Sequence, residues 1–160
     1  REEVTLASLL ERTAPRLADR AEQAEMKLDL DAAAETQILS LFTDPAAVEQ
    51  ILFNLVDNAC KYAAHGEDKR IHLEIATAGG KLQFRVRDHG PGISRQGQRK
   101  LFLPFSKSVH EAANSAPGVG LGLALSRRLA KDLGGSLTLA NQDGSSGAIF
   151  VLELPVASAK

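Results

Sequence analysis

The stretch FNLVDNACKY, Phe53 to Tyr62, carries two asparagines four residues apart and ends on a lysine and a tyrosine. Asparagine is a poor helix-interior residue, because its amide competes with the backbone for hydrogen bonds. At about 100° per residue, Val48, Leu52, Leu55, Val56, Ala59 and Ala63 fall on one continuous apolar arc. Asn54, Asn58 and Lys61 fall on a stripe roughly 60° wide at the edge of that arc, with Tyr62 beside it. A pocket wall has this character, since its polar groups are held by the helix yet not buried in it. An amide oxygen is a hard neutral ligand suited to Mg²⁺, which keeps waters and substrate phosphates in its shell. Lysine meets phosphate charge, and a tyrosine ring can cover a base. For this helix alone, the competing reading is an edge that is polar because it meets solvent.

Two glycine clusters extend the chemistry. RDHGPGIS places Asp88 at the end of a strand with Gly90 and Gly92 behind it. A carboxylate there can accept from an exocyclic amine, while glycines let a planar ring approach the backbone. GVGLGLAL opens a helix with Gly118, Gly120 and Gly122, whose backbone amides and positive helix end suit a polyphosphate. The chain has no Gly-x-x-x-x-Gly-Lys loop, which excludes a P-loop. A dinucleotide fingerprint needs a strand directly before its glycines, where HEAANSAP stands instead. Between His89 and His110 lie Arg95, Arg99, Lys100 and Lys107 and no acid, a basic loop that fits either plain solvation or a lid beside a triphosphate.

The elements that must position these residues follow from periodicity. A chain of 160 residues, 44% of them hydrophobic, can bury one core and reads as one domain. Leu6, Leu9, Leu10, Leu17, Ala18 and Ala21 predict an amphipathic helix from Thr5, with Pro15 kinking it or marking a new start. KLDLDA and TQILSLF predict two short strands, and TDPAAVEQ a capped start for the asparagine helix, which is expected to run to about His65 and Gly66. RIHLEIATAGGKLQFRVRD predicts a hairpin turning at Gly79-Gly80. The region from His89 to Pro117 is a long connection of the kind that is usually functional. GLALSRRLAKDLGG predicts a third helix stopped by Gly134-Gly135, and SLTLAN with AIFVLELP a closing hairpin. Together these predict a two-layer α/β arrangement, one mixed sheet with helices on a single face.

Composition narrows the function. Net charge is -1 and no basic run is interleaved with aromatics, so a nucleic-acid surface is not indicated. The single cysteine, Cys60, excludes an intramolecular disulfide framework and a cysteine metal cluster and suggests a reducing setting. No apolar run reaches the roughly 18 residues of a membrane span, and no signal peptide precedes the first helix, so the chain is expected not to be embedded in a membrane. It begins with REEVTL, without an initiator Met and within a helical pattern, as a fragment of a longer protein would.

The ordered set Asn-x-x-x-Asn-Ala-x-Lys-Tyr, Asp-x-Gly-x-Gly-Ile, Phe-x-x-Phe, Gly-x-Gly-Leu-Gly-Leu, Gly-Gly and Gly-x-x-Phe resembles the catalytic ATP-binding domain of sensor histidine kinases. These belong to the superfamily of gyrase, Hsp90, histidine kinase and MutL ATP-binding domains. The match runs from EVTLASLL to LELP. It implies the Bergerat fold, an α/β (α+β) two-layer sandwich with three helices on one face. It also implies one catalytic ATP-binding domain over residues 1–160, with a mobile ATP lid at about 93–117. The resemblance implies that Asn58 coordinates Mg²⁺ bridging the phosphates of ATP, with Asn54 lining the same stripe, Lys61 near the phosphates and Tyr62 by the adenine or ribose. Asp88 would accept from the adenine amino group, with Gly90, Gly92 and Ile93 as the purine wall. Phe102 and Phe105 resemble the family's phenylalanine box, and Lys107 its basic lid residue that reaches the γ-phosphate. Gly118, Gly120, Leu121, Gly122 and Leu123 resemble the second glycine box, and Phe150 the aromatic residue below the adenine. For Phe102, Phe105 and Phe150, core packing is an equally good reading.

Ser106 stands where an aromatic residue is common, and Val119 where threonine is frequent. No phosphoacceptor segment follows His110-Glu111, and His65, His72 and His89 have ordinary structural readings. The resemblance therefore implies a cytoplasmic kinase domain whose nucleophile is a histidine on a separate dimerisation domain, with a response regulator receiver domain next in line. The parent is either free or attached to the inner membrane. Superfamily ATPases carry Glu at the place of Asn54, where it can activate water. The amide here favours phosphoryl transfer, with Asn54 and Lys107 in the catalytic set. A superfamily ATPase and a non-catalytic nucleotide-binding module are the alternatives.

Overall fold

The structure, a computed structural model, describes residues 1–103, 122–140 and 147–157. Strand β1 (Glu2–Thr5) leads into helix α1 (Leu6–Gln23), followed by β2 (Lys27–Ala32), the single turn α2 (Ala34–Gln37) and β3 (Ser40–Thr43). Helix α3 (Pro45–Tyr62), the hairpin β4 (Arg70–Ala78) and β5 (Lys81–Arg87), and a short α4 (Arg95–Lys100) come next. Helix α5 (Gly122–Asp132) and the pair β6 (Ser136–Leu139) and β7 (Ile149–Pro155) complete the described chain.

The main sheet has the order β2-β4-β5-β7-β6, with β2 parallel to β4 and the remaining pairs antiparallel. A separate antiparallel pair joins β1 to β3. On β4 and β5 the alternation is clean: Ile71, Leu73, Ile75, Leu82, Phe84 and Val86 are buried, while their neighbours are partly or fully exposed. The buried face receives the leucines of α1 and the apolar arc of α3, forming one core. A sheet with helices on a single face is the architecture the periodicities predict.

Three local outcomes differ from the sequence reading. Residues 2–5 form a strand rather than a helix start, and Thr5 becomes the N-cap of α1, its side chain accepting from Ser8 N at 3.1 Å. Thr36 and Gln37 lie in α2, so of the second predicted strand only Ser40–Phe42 falls in β3, which extends to Thr43. Helix α1 runs unbroken through Pro15, whose missing N–H and ring are tolerated on the exposed side. Pro15→Ala restores a helical hydrogen bond and is expected to stabilise the fold by about 1–2 kcal/mol, the helix gain being partly offset by a more flexible unfolded chain. Urea unfolding checks this.

The hairpin turn is as predicted: Gly79 and Gly80 both have positive φ, 58° and 78°, which a two-residue turn matched to strand twist requires. No helix among the described residues is long and apolar enough to cross a membrane.

Candidate functional site

Helix α3 is started by Asp44, whose carboxylate accepts from Ala46 N and Ala47 N, with Pro45 in the first turn. Its apolar arc, Val48, Ile51, Leu52, Leu55, Val56, Ala59 and Cys60, is buried, which fixes the rotation of the helix and leaves Asn54 and Asn58 half-buried at the edge. Burial pushes the Cys60 thiol up, so it is a packing residue rather than a nucleophile. The helix ends at Tyr62 rather than at His65.

The two asparagines have opposite surroundings. Asn54 is held on every side: its Nδ2 donates to Ser126 Oγ at 2.9 Å and to the Gly122 carbonyl at 3.4 Å, while its Oδ1 accepts from Gln50 Nε2 at 3.0 Å. These bonds bring the asparagine stripe against the start of α5, where Asn54 meets Gly122 and Ser126. Asn58, one turn further on, has a buried Nδ2 with no hydrogen-bond partner among the described residues. A buried, unpaired N–H is costly to the folded chain.

Both carboxylates of α3 are committed to α1. Glu49 pairs with Arg12 at 3.4 Å and with Arg16, and Asp57 pairs with Arg20 at 2.8 Å. Arg12, Arg16 and Arg20 follow each other at four-residue spacing and form a ladder along the α1–α3 contact. Lys61 also pairs with Asp57, at 3.1 Å, and must leave that carboxylate to reach a phosphate.

Asp88 directly follows β5 and is 2% exposed. Its Oδ1 accepts from Gly90 N at 2.8 Å and Ala148 N at 3.3 Å, and Oδ2 accepts none among the described residues. Burial raises the carboxyl above its ordinary value, against the two backbone donors that lower it. Gly90 is packed so closely that a Cβ would lie 2.6 Å from the Tyr62 carbonyl oxygen, so Tyr62, Asp88 and Gly90 form one wall. Gly92 has φ 83° and turns the chain toward Ile93, which is 8% exposed.

Phe150 is 2% exposed and meets Phe102 edge to face with centroids 6.3 Å apart. Its place is in the core, as is that of Leu123. Phe105, Lys107, Gly118, Gly120 and Leu121 lie outside the described residues.

Sequence reasoning missed a histidine pair. His72 on β4 and His89 beside Asp88 approach with Nε2 atoms 2.8 Å apart and rings at 73°. Asp29 flanks His72 at 3.9 Å and Asp68 flanks His89 at 3.6 Å. Asp68 is itself tied to Arg70, which holds its carboxyl well below the usual range. Burial lowers the His89 pKa; Asp68 opposes this, and His72, Arg87 and Arg70 add to it. The folded state thus binds fewer protons than the unfolded chain below about pH 6.5, and stability falls as pH drops through that range. A lower melting temperature at pH 5.5 than at 7.5, with the gap narrowed in His89→Gln, is the expected result.

Residues 43–158 match the family described as histidine kinase-, DNA gyrase B- and HSP90-like ATPase. The chain belongs to that family. The KdpD sensor protein of Rathayibacter rathayi is 37% identical over 135 residues, covering 84% of this chain and 15% of its own length. The GacS sensor protein of Pseudomonas syringae pv. syringae is 35% identical over 155 residues, covering 95% and 17%. The chain thus spans about a sixth of these curated relatives. Among solved structures, full-length ShkA in complex with AMPPNP superposes with TM-score 0.78 at 27% identity, covering 98% of this chain and 31% of that one. The mycobacterial sensor histidine kinase MprB gives TM-score 0.78 at 22% identity over 99% of this chain and 100% of that one, a likeness of fold. The family's histidine kinase branch therefore supplies the relatives, and the chain has the fold of their catalytic domains.

Proposed function

We propose that this domain binds Mg-ATP between the asparagine stripe of α3, the Asp88–Ile93 turn and the start of α5. The γ-phosphoryl group would pass to a histidine on a separate dimerisation domain, and from there to the receiver domain of a response regulator. Asp88 Oδ2 is the acceptor available to the adenine amino group, with the Gly90 and Tyr62 wall beside it. Asn58 offers a hard neutral amide oxygen, the donor type that suits Mg²⁺, at the half-buried edge of α3. A cation with one protein ligand and otherwise phosphate and water ligands matches that donor set. Bound there, Mg²⁺ would neutralise charge on the phosphates. Lys107 would reach the γ-phosphate. The AMPPNP held by a 27% identical kinase of the same fold supports a nucleotide ligand.

The observation that favours transfer over hydrolysis is the commitment of Glu49 and Asp57. A water-activating base needs an available carboxylate beside the phosphates. The only two carboxylates of α3 are ion-paired to α1, and the position facing α5 is the amide of Asn54. Phosphoryl transfer needs positioning and charge neutralisation more than a base. The test mixes the domain, radiolabelled Mg-ATP and a purified dimerisation domain bearing the histidine. Label on that histidine, with turnover in its absence below about 1 s⁻¹, is expected. Faster hydrolysis by the domain alone would overturn the assignment.

A further inference from the structure

We infer that Ser126 is a positioning residue that, through Asn54, clamps the first turn of α5 against α3 and so sets where the phosphates are received. The inference rests on the nucleotide reading above. Ser126 is fully buried on α5, three residues beyond Leu123 and four before Ala130, on the face turned to the core. A hydroxyl there has no reason to replace a methyl unless something needs it, and Asn54 Nδ2 reaches it at 2.9 Å from α3. The second N–H of the same amide points to the Gly122 carbonyl, one turn earlier on α5, at 3.4 Å. A carbonyl can only accept, so this contact fixes which end of the amide faces α5. Gln50 then donates to Oδ1 from one turn back on α3 and holds the amide from behind.

The chain Gln50–Asn54–Ser126 thus ties the two helices at one level. Asn58 lies one turn further along the same stripe, so phosphates held near Asn58 would lie beside the end of α5 that the clamp fixes. Helix N-terminal amides act on an anion only over the first turn, so a small loosening of that turn is felt by the phosphates. The adenine is held by another element, the Asp88 turn, and would not sense it.

The experiment is calorimetric titration of the domain with Mg-ATP and, separately, with adenosine. Ser126→Ala is expected to weaken Mg-ATP about fivefold, the size of one ordinary hydrogen bond, with adenosine affinity unchanged. Gln50→Ala, at an exposed position where folding is not at risk, is expected to shift Mg-ATP in the same direction by about twofold, again with adenosine unchanged. In the Asn54→Ala background, Ser126→Ala should add nothing, because the partner is gone. Equal loss for ATP and adenosine would mean a merely structural role and overturn the inference. So would Ser126→Ala binding Mg-ATP as wild type does. Wild type failing to bind Mg-ATP at all would instead remove the nucleotide reading on which the inference stands.

Discussion

Asp88→Asn is expected to leave the domain folded and to weaken ATP by roughly 10- to 150-fold, the range for a lost hydrogen bond to a charged group. The substitution separates the two jobs of the carboxylate. Oδ1 holds the turn by accepting from Gly90 N and Ala148 N, and an asparagine carbonyl in the same position can still accept both. Oδ2 is the atom assigned to the adenine amino group, and in asparagine that position becomes an NH₂ that meets the ligand's donor with another donor. Stability should not fall. Burial raises the Asp88 pKa, so the folded state binds more protons than the unfolded chain between the ordinary value of 3.8 and the raised one. Stability therefore declines as pH rises through that window, and above it the cost of the buried charge is fully present. Removing the charge lifts that cost, so the melting temperature at pH 7 should hold or rise while ATP affinity drops. A purine with a keto oxygen at the 6-position would accept from the new amide, so discrimination between ATP and GTP should narrow. Unchanged ATP affinity in Asp88→Asn would remove Asp88 from the adenine site.

Much of this arrangement is legible from local pattern. The start of α3 is written in Asp44-Pro45, the hairpin turn in Gly79-Gly80, and the rotation of α3 in the spacing of Val48, Leu52, Leu55 and Val56, which alone puts Asn54 and Asn58 at the edge. What local pattern omits is whatever depends on residues distant in sequence. β1 exists because Glu2–Thr5 finds Ser40–Thr43, and four residues without alternation give no sign of that. α4 buries no residue and has no apolar period; it is held by Ser94 capping Gly97 N and by Gln98 donating to the Ile93 carbonyl. The His72–His89 contact joins a strand to a loop across the sheet, and each histidine alone looks ordinary. Ser126 likewise looks like one more small polar residue until α3 is packed against it. The arginine ladder did carry a signal: Arg12, Arg16 and Arg20 at four-residue spacing mark one basic stripe on α1, and its acidic complement, Glu49 and Asp57, is eight residues apart on α3.

Asn58→Ala makes the other large difference, and the two asparagines predict opposite mutant behaviour. Asn54 is saturated with hydrogen bonds, so its removal leaves Ser126 and Gln50 without a partner and should cost stability as well as binding. Asn58 has a buried Nδ2 without a partner among the described residues, so Asn58→Ala deletes an unpaired polar group and should unfold at the same urea concentration as wild type or a higher one. The Mg²⁺ role proposed for the Asn58 oxygen would account for a side chain whose buried nitrogen costs stability, as function commonly does. Mg-ATP affinity in Asn58→Ala should fall roughly tenfold to a hundredfold, by the loss of about 1.5–3 kcal/mol for a contact to a charged group, and should then match ATP measured with the metal chelated. Asn58→Asp sharpens the reading, because a carboxylate is itself a Mg²⁺ ligand. It should recover part of the magnesium dependence while binding metal-free ATP worse than Asn58→Ala, its charge opposing the phosphates. Calorimetry with and without Mg²⁺ on the three proteins separates these outcomes. An Asn58→Ala protein that keeps its full magnesium dependence would move the metal to another residue.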